Sequence, residues 1–139
     1  MANYLLRPEV AGGLGEQTVM DRSVHPPAVS VLDYEFEDWS GDDLVASFPC
    51  LIVTERLRDA LQSSGLTGFR FVDVRISTTL NFDEFNTGAL PPFYWLQVYG
   101  SRDTDDMWIG ERGRLIVNDQ AMSLLREFAI ENCLIEEVD

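Results

Sequence analysis

The chain has 139 residues, 45% apolar and 11% aromatic, and carries 24 Asp and Glu against 10 basic residues for a net charge of −14. So apolar a composition excludes a disordered acidic tail, and so negative a chain repels nucleic acid and anionic membrane while attracting cationic partners at long range. No apolar run approaches the roughly 20 residues of a membrane helix, and MANYLLRPEV shows no secretory signal, so one soluble, cytoplasmic domain over residues 1–139 is expected.

Tyr4–Arg7 reads as a short strand, followed by a loop at Ala11–Gly15. Its Gly12-Gly13-Leu14-Gly15 run lacks the Lys-Ser/Thr and the strand-to-helix setting of a phosphate loop, and the chain has no lysine; a flexible turn is the plainer reading. A second loop, Val24–Pro27, holds the single histidine, His25, before two prolines, a poor setting for a general base. Val29–Glu37 alternates as a strand does, with Leu32, Tyr34 and Phe36 toward the core. Asp33, Glu35 and Glu37 then form a solvated row with about 7 Å between neighbours. Asp42–Phe48 reads as a helical turn that must stop near Pro49.

An internal echo follows. Leu51–Val74 aligns without gaps on Leu115–Val138. Each copy opens on Leu-Ile-Val, continues with a capping residue (Thr54 or Asn118) and an acid in the first turn (Glu55 or Asp119), and then shows helical spacing. The spaced residues are Leu57, Ala60 and Leu61 in one copy and Met122, Leu125, Phe128 and Ala129 in the other. Gly65 suits the stop of the first helix, and the copies end in the strand-like runs Phe69–Ile76 and Cys133–Val138. Either one strand–helix–strand unit is used twice, or two amphipathic helices that follow strands simply look alike. Between them Phe93–Tyr99 reads as a central strand, apolar on both faces, and Arg114–Asn118 as the strand before the last helix, with loops at Asn86–Pro92 and Gly100–Asp106. The fold expected is α+β, a mixed and mostly antiparallel sheet with two main helices packed on one face.

Groups for chemistry are few. One His and two Cys cannot make a clustered zinc site, and Cys50 and Cys133 sit in apolar surroundings that suit buried, reduced thiols. The carboxylate pairs Asp42–Asp43 and Asp105–Asp106 are adjacent, a poor geometry for converging on one ligand, and Asp103, Asp105 and Asp106 lack the spacing of a calcium loop. No catalytic residue, cofactor or metal is expected.

Six acids, Asp33, Glu35, Glu37, Asp38, Asp42 and Asp43, fall in one stretch without a basic residue. With Trp39 among them as an apolar anchor, they are the candidate partner-binding residues. The plainer alternatives are acids paired with arginines such as Arg70 or Arg75, and a solvated face that serves solubility.

YLLRPEVAGGLGEQT, the following HPP, YEFEDWSGDDL and FPCLIVTERL with its later GLTG resemble the immunity proteins of bacterial polymorphic toxin systems, in particular the immunity protein eleven family. The resemblance runs from about Tyr4 to the last helix and implies a small cytoplasmic antidote, not an enzyme, that binds and blocks a cognate toxin domain. Many such toxins, nucleases among them, carry basic clefts, which an acidic inhibitor would meet quickly. The rival readings are an acidic mimic of nucleic acid, or an adaptor, binding a basic host protein. Neither nucleic acid nor membrane is an expected partner, and the sequence sets no oligomeric state.

Overall fold

The computed structural model describes residues 2–85 and 88–138. In chain order its strands begin with β1 (Asn3–Arg7), β2 (Gly12–Leu14), β3 (Val19–Asp21), β4 (Ala28–Val31), β5 (Asp33–Phe36), β6 (Leu44–Ser47) and β7 (Cys50–Thr54). Helix α1 (Glu55–Ser63) leads to β8 (Phe69–Val72), β9 (Arg75–Thr78), α2 (Leu80–Phe85) and β10 (Phe93–Val98). The chain closes with β11 (Met107–Ile109), β12 (Leu115–Asn118), α3 (Asp119–Leu125) and β13 (Leu134–Val138). The result is a mixed α+β fold in which the sheets are mostly antiparallel, with β5 and β9 paired in parallel and Glu9 bridging Val45 the same way. Among the described residues no helix is long and apolar enough to cross a membrane.

The internal echo is a structural repeat. One sheet runs β6-β7-β10-β8 and another β11-β12-β1-β13. In each, a hairpin leads into a helix, and the strand after the helix returns beyond an inserted antiparallel strand, β10 in the first unit and β1 in the second. Registers match as well. Thr54 pairs with Phe93 and Val53 with Tyr94, while Asn118 pairs with Asn3 and Val117 with Tyr4. Beyond the inserted strands, Leu96 meets Phe71 and Leu6 meets Ile135. The constant offset that carries Leu51 to Leu115 therefore holds through strand, helix and returning strand. The second unit takes its middle strand from the start of the chain.

Leu57 and Leu61 of α1 and Ala121, Met122 and Leu125 of α3 are buried in one core, together with Val53 and Leu96 from one sheet and Val117 and Leu6 from the other. The helix starts differ. Asn118 accepts the Ala121 N–H at 3.0 Å, whereas the Thr54 side chain makes no cap and turns to Asp43 instead. Gly65, at φ +80, follows the end of α1 as expected.

A second core lies on the far side of the first unit, where Val45, Ile52 and Trp95 meet Tyr34 and Phe36 of the β2-β5-β9 sheet and Phe82 of α2. Several expected elements change here. The strand expected over Val29–Glu37 is broken at Leu32: β4 pairs with β3 as a hairpin, while β5 runs between β2 and β9. Phe69–Ile76 likewise divides into β8 and β9, which enter different sheets. The Ala11–Gly15 loop is largely strand, because Gly12 has no Cβ to strike the Glu35 carbonyl and so lets β2 lie against β5. Asp42–Phe48 is not helical: Leu44 and Val45 face opposite cores and are both buried, and pairing with β7 overrides local preference. Of the loop at Asn86–Pro92, residues 88–92 carry no regular structure, and Asn86 and Thr87 lie outside the described residues.

Candidate partner-binding surface

The acidic stretch divides into two kinds of carboxylate. Asp33, Asp42 and Asp43 are buried, each about 2% exposed or less, which corrects the expectation of a solvated row. The Asp33 carboxylate accepts the Ser77 hydroxyl at 2.7 Å and the Gln17 N–H at 3.2 Å, and its backbone exchanges hydrogen bonds with the Thr18 hydroxyl. Arg75 is its register neighbour on β9 but forms no ion pair with it; small hydroxyls and a backbone N–H fill that place. Asp42 accepts the Asn132 backbone N–H at 2.8 Å.

Asp43 is the most heavily bound. Arg56 approaches both carboxylate oxygens, at 2.7 and 2.6 Å, the Thr54 hydroxyl donates to one, and the Ala129 N–H donates to the other at 2.8 Å. Burial alone pushes this carboxyl up, but the hydrogen bonds from Arg56, Thr54 and Ala129 outweigh it and hold it below its ordinary value. Asp42 and Asp43 tie the first unit to the loop after α3, Asp33 ties β5 to the turn after β2 and to β9, and none of the three is free to meet a partner.

Glu37 and Asp38 are exposed and Glu35 is half-buried, and none of the three is in an ion pair among the described residues. Trp39, half-buried, donates its indole N–H to the Asp42 carbonyl at 2.9 Å and stands edge-on to Phe93 with ring centroids 5.5 Å apart. It is tethered to the second core, with part of its ring left for a partner.

A second acidic surface gathers Asp103, Asp105 and Asp106, whose spacing in sequence is not that of a calcium loop. A cleft of about 340 Å³ is lined by Asp103, Asp105, Asp106 and Asp119, beside Trp108. The β11–β12 hairpin sets Asn118, and with it Asp119, beside this loop; β1 then supplies donors to Asp119, the Ala2 N–H at 2.8 Å and the Tyr4 hydroxyl at 3.0 Å, and these bonds lower its pKa. Asp106 accepts the Thr67 N–H and an Asn118 side-chain N–H at 2.8 and 2.7 Å. The run Arg102–Met107 marks the loop in sequence, but its joining to Asp119 depends on the β11–β12 hairpin. Among the described residues no three His, Cys, Asp or Glu are grouped to hold a metal.

His25 is exposed, with its ring centroid 6.3 Å from that of Phe48. Cys50 and Cys133 are free and buried, and burial pushes their thiols up to about 12 and about 11. No protein-family model matches the chain, and no curated protein matches it significantly. The likeness to immunity proteins therefore rests on the residues quoted for it.

Proposed function

We propose that this chain is an immunity-type inhibitor that captures a basic toxin domain and neutralises it by covering a cationic cleft. One observation carries the reading. With Asp33, Asp42 and Asp43 withdrawn from solvent, the remaining acids still outnumber the arginines about two to one, and Glu35, Glu37 and Asp38 take part in none of the ion pairs that Arg56 and Arg58 make. Charge displayed in this way, with few internal partners, speeds encounter with a positive surface and gives way to salt. Glu37 and Asp38, with Glu35 and the half-buried Trp39 beside them, are one acidic patch for such a partner, and the Asp103–Asp119 cleft is another.

The test is co-expression with the toxin domain encoded beside this chain, scored by growth. Rescue that needs this chain supports the reading; killing that persists in its presence overturns it. Purified complexes locate the site. Reversing Glu37 and Asp38 to Lys should slow association severalfold and flatten its salt dependence, without the folding damage that a change at Asp43 brings. Capture of several unrelated basic proteins with similar affinity would instead favour a nucleic-acid mimic.

A further inference from the structure

We propose that the cleft between the two equivalent hairpin turns binds a small amphipathic anion, a carboxylate or phosphate head on an apolar body. The turns join β6 to β7 at Phe48–Pro49 and β11 to β12 at residues 110–114. Between them lies an open cleft of about 360 Å³, within the roughly 300–1,000 Å³ of small-molecule sites. Buried Leu6, Leu51 and Leu115 line it, and Val10 and Phe48, 70% and 51% exposed, offer further apolar surface.

Arg7, Arg112 and Arg114 line the same cleft, and no Asp or Glu does. In a chain with 24 acids and 10 arginines, three arginines on one apolar cleft run against the surrounding charge. Among the described residues none of the three has an ion pair or a side-chain hydrogen bond. The acids nearest in sequence do not neutralise them. Glu9 accepts the Ser40 N–H at 3.0 Å, Glu111 is exposed, and neither lines the cleft. Arg112 also holds a left-handed conformation, φ 61, that glycine adopts more readily.

The repeat supplies an internal control. Its equivalent cleft shares Pro49, Cys50, Leu51 and Gly113 with this one, but it has Leu96 and Gln97 where this one has Leu6 and Arg7, and no arginine lines it. The guanidinium groups thus belong to one cleft and not to the shared frame. Guanidinium groups bind carboxylate and phosphate with paired hydrogen bonds. A polyanion or an anionic membrane would meet the whole negative field of the chain, whereas a small ion inside the cleft meets mainly its local charges, since screening acts over about 8 Å at physiological salt. The proposal is independent of the toxin reading.

Calorimetric titration of the full chain with decanoate below its micelle concentration tests it, with decanol, decyltrimethylammonium and inorganic phosphate as comparisons. Saturable one-site binding is expected for decanoate, about tenfold or more tighter than for decanol, and none for the cation. Arg114→Gln and Arg112→Gly should each weaken decanoate about tenfold, and Arg22→Gln, outside the lining, should change nothing. Arg112→Gly removes the guanidinium and relieves the backbone, so its fold should stand, as circular dichroism would verify. Absence of saturable decanoate binding, equal binding of decanol, or indifference to both cleft substitutions overturns the proposal. Binding to phosphatidylglycerol vesicles without binding of free decanoate would overturn it in favour of a lipid surface.

Discussion

In the first repeat unit the sheet face away from the helices is sealed: Val45, Ile52 and Trp95 disappear under the β2-β5-β9 sheet and α2. The equivalent positions in the second unit are Trp108, Ile116 and Leu5, which belong to neither apolar core; Trp108 is buried, but Ile116 and Leu5 are only half-buried, and neighbouring Leu134 is 68% exposed. The same frame thus carries two finishes. Segments before β6 and between β8 and β10 complete the first unit, while the second is completed by the strand at the start of the chain. Their polar joints are reciprocal too. Asp43 of the first unit reaches Ala129 in the loop after α3, and Asp106 of the second reaches Thr67 in the loop after α1. Each also binds the residue that precedes its own helix, Thr54 or Asn118.

The reciprocity is unequal in strength, and this difference gives the largest expected effect. Asp43→Ala would leave the Thr54 hydroxyl and the Ala129 N–H without their partner at a buried position and release the exposed Arg56 to solvent, a loss of about 2–5 kcal/mol. Asp106→Ala, half-buried and without an arginine, should cost about 1–2 kcal/mol. Urea unfolding of both variants checks this, and equal losses would break the asymmetry. The pH dependence follows from the sign of the Asp43 shift. Its pKa is lower in the folded chain than in the unfolded one, so its stabilisation is present above about pH 4 and is lost as pH falls through the folded value. Asp43→Asn should flatten the acid limb of the stability curve.

The repeat was legible in sequence because its signals are local: the Leu-Ile-Val triplets, the residue before each helix, and the helical spacing that begins at Leu57 and Met122, although α3 ends at Leu125, before Phe128 and Ala129. The buried half of the acidic stretch was not. Alternation assigns Asp33 to the face opposite Tyr34, but whether that face is wet depends on the turn after β2 folding back onto Asp33 and on Ser77 of β9 lying beside it, both brought there by pairing. Asp42 and Asp43 look like turn acids until β6 is seen to pair with β7 and the loop after α3 is seen to deliver Ala129 and Asn132. Trp39 followed the same course, since its partners, the Asp42 carbonyl and Phe93, come together only in the second core.

A smaller effect tests whether the two helices are energetically as well as geometrically equivalent. Leu61 and Leu125 occupy the same place in the repeat and are 1% and 2% exposed in one shared core. Leu61→Ala and Leu125→Ala should each cost about 2–4 kcal/mol, the ordinary loss for a buried leucine that leaves a cavity. The two values should agree closely, because the surrounding apolar side chains are common to both. A clear gap would mean that one side of the core collapses around the cavity better than the other, and would locate the softer unit.

The smallest effect is read from the thiols and leaves stability at neutral pH unchanged. Cys50 opens β7 under the covering sheet and is 4% exposed; Cys133 stands just before β13, the outermost strand of the open unit, and is 8% exposed. Burial raises Cys50 to about 12 and Cys133 to about 11, so at pH 8 both should react with a thiol reagent about a hundredfold or more slower than a free cysteine. Cys133 should react first, through opening of the β13 edge, and stabilising that edge should slow it without touching Cys50. The reverse order would mean that the covering sheet opens before the uncovered unit does, and the second unit would then be the firmer half of the molecule.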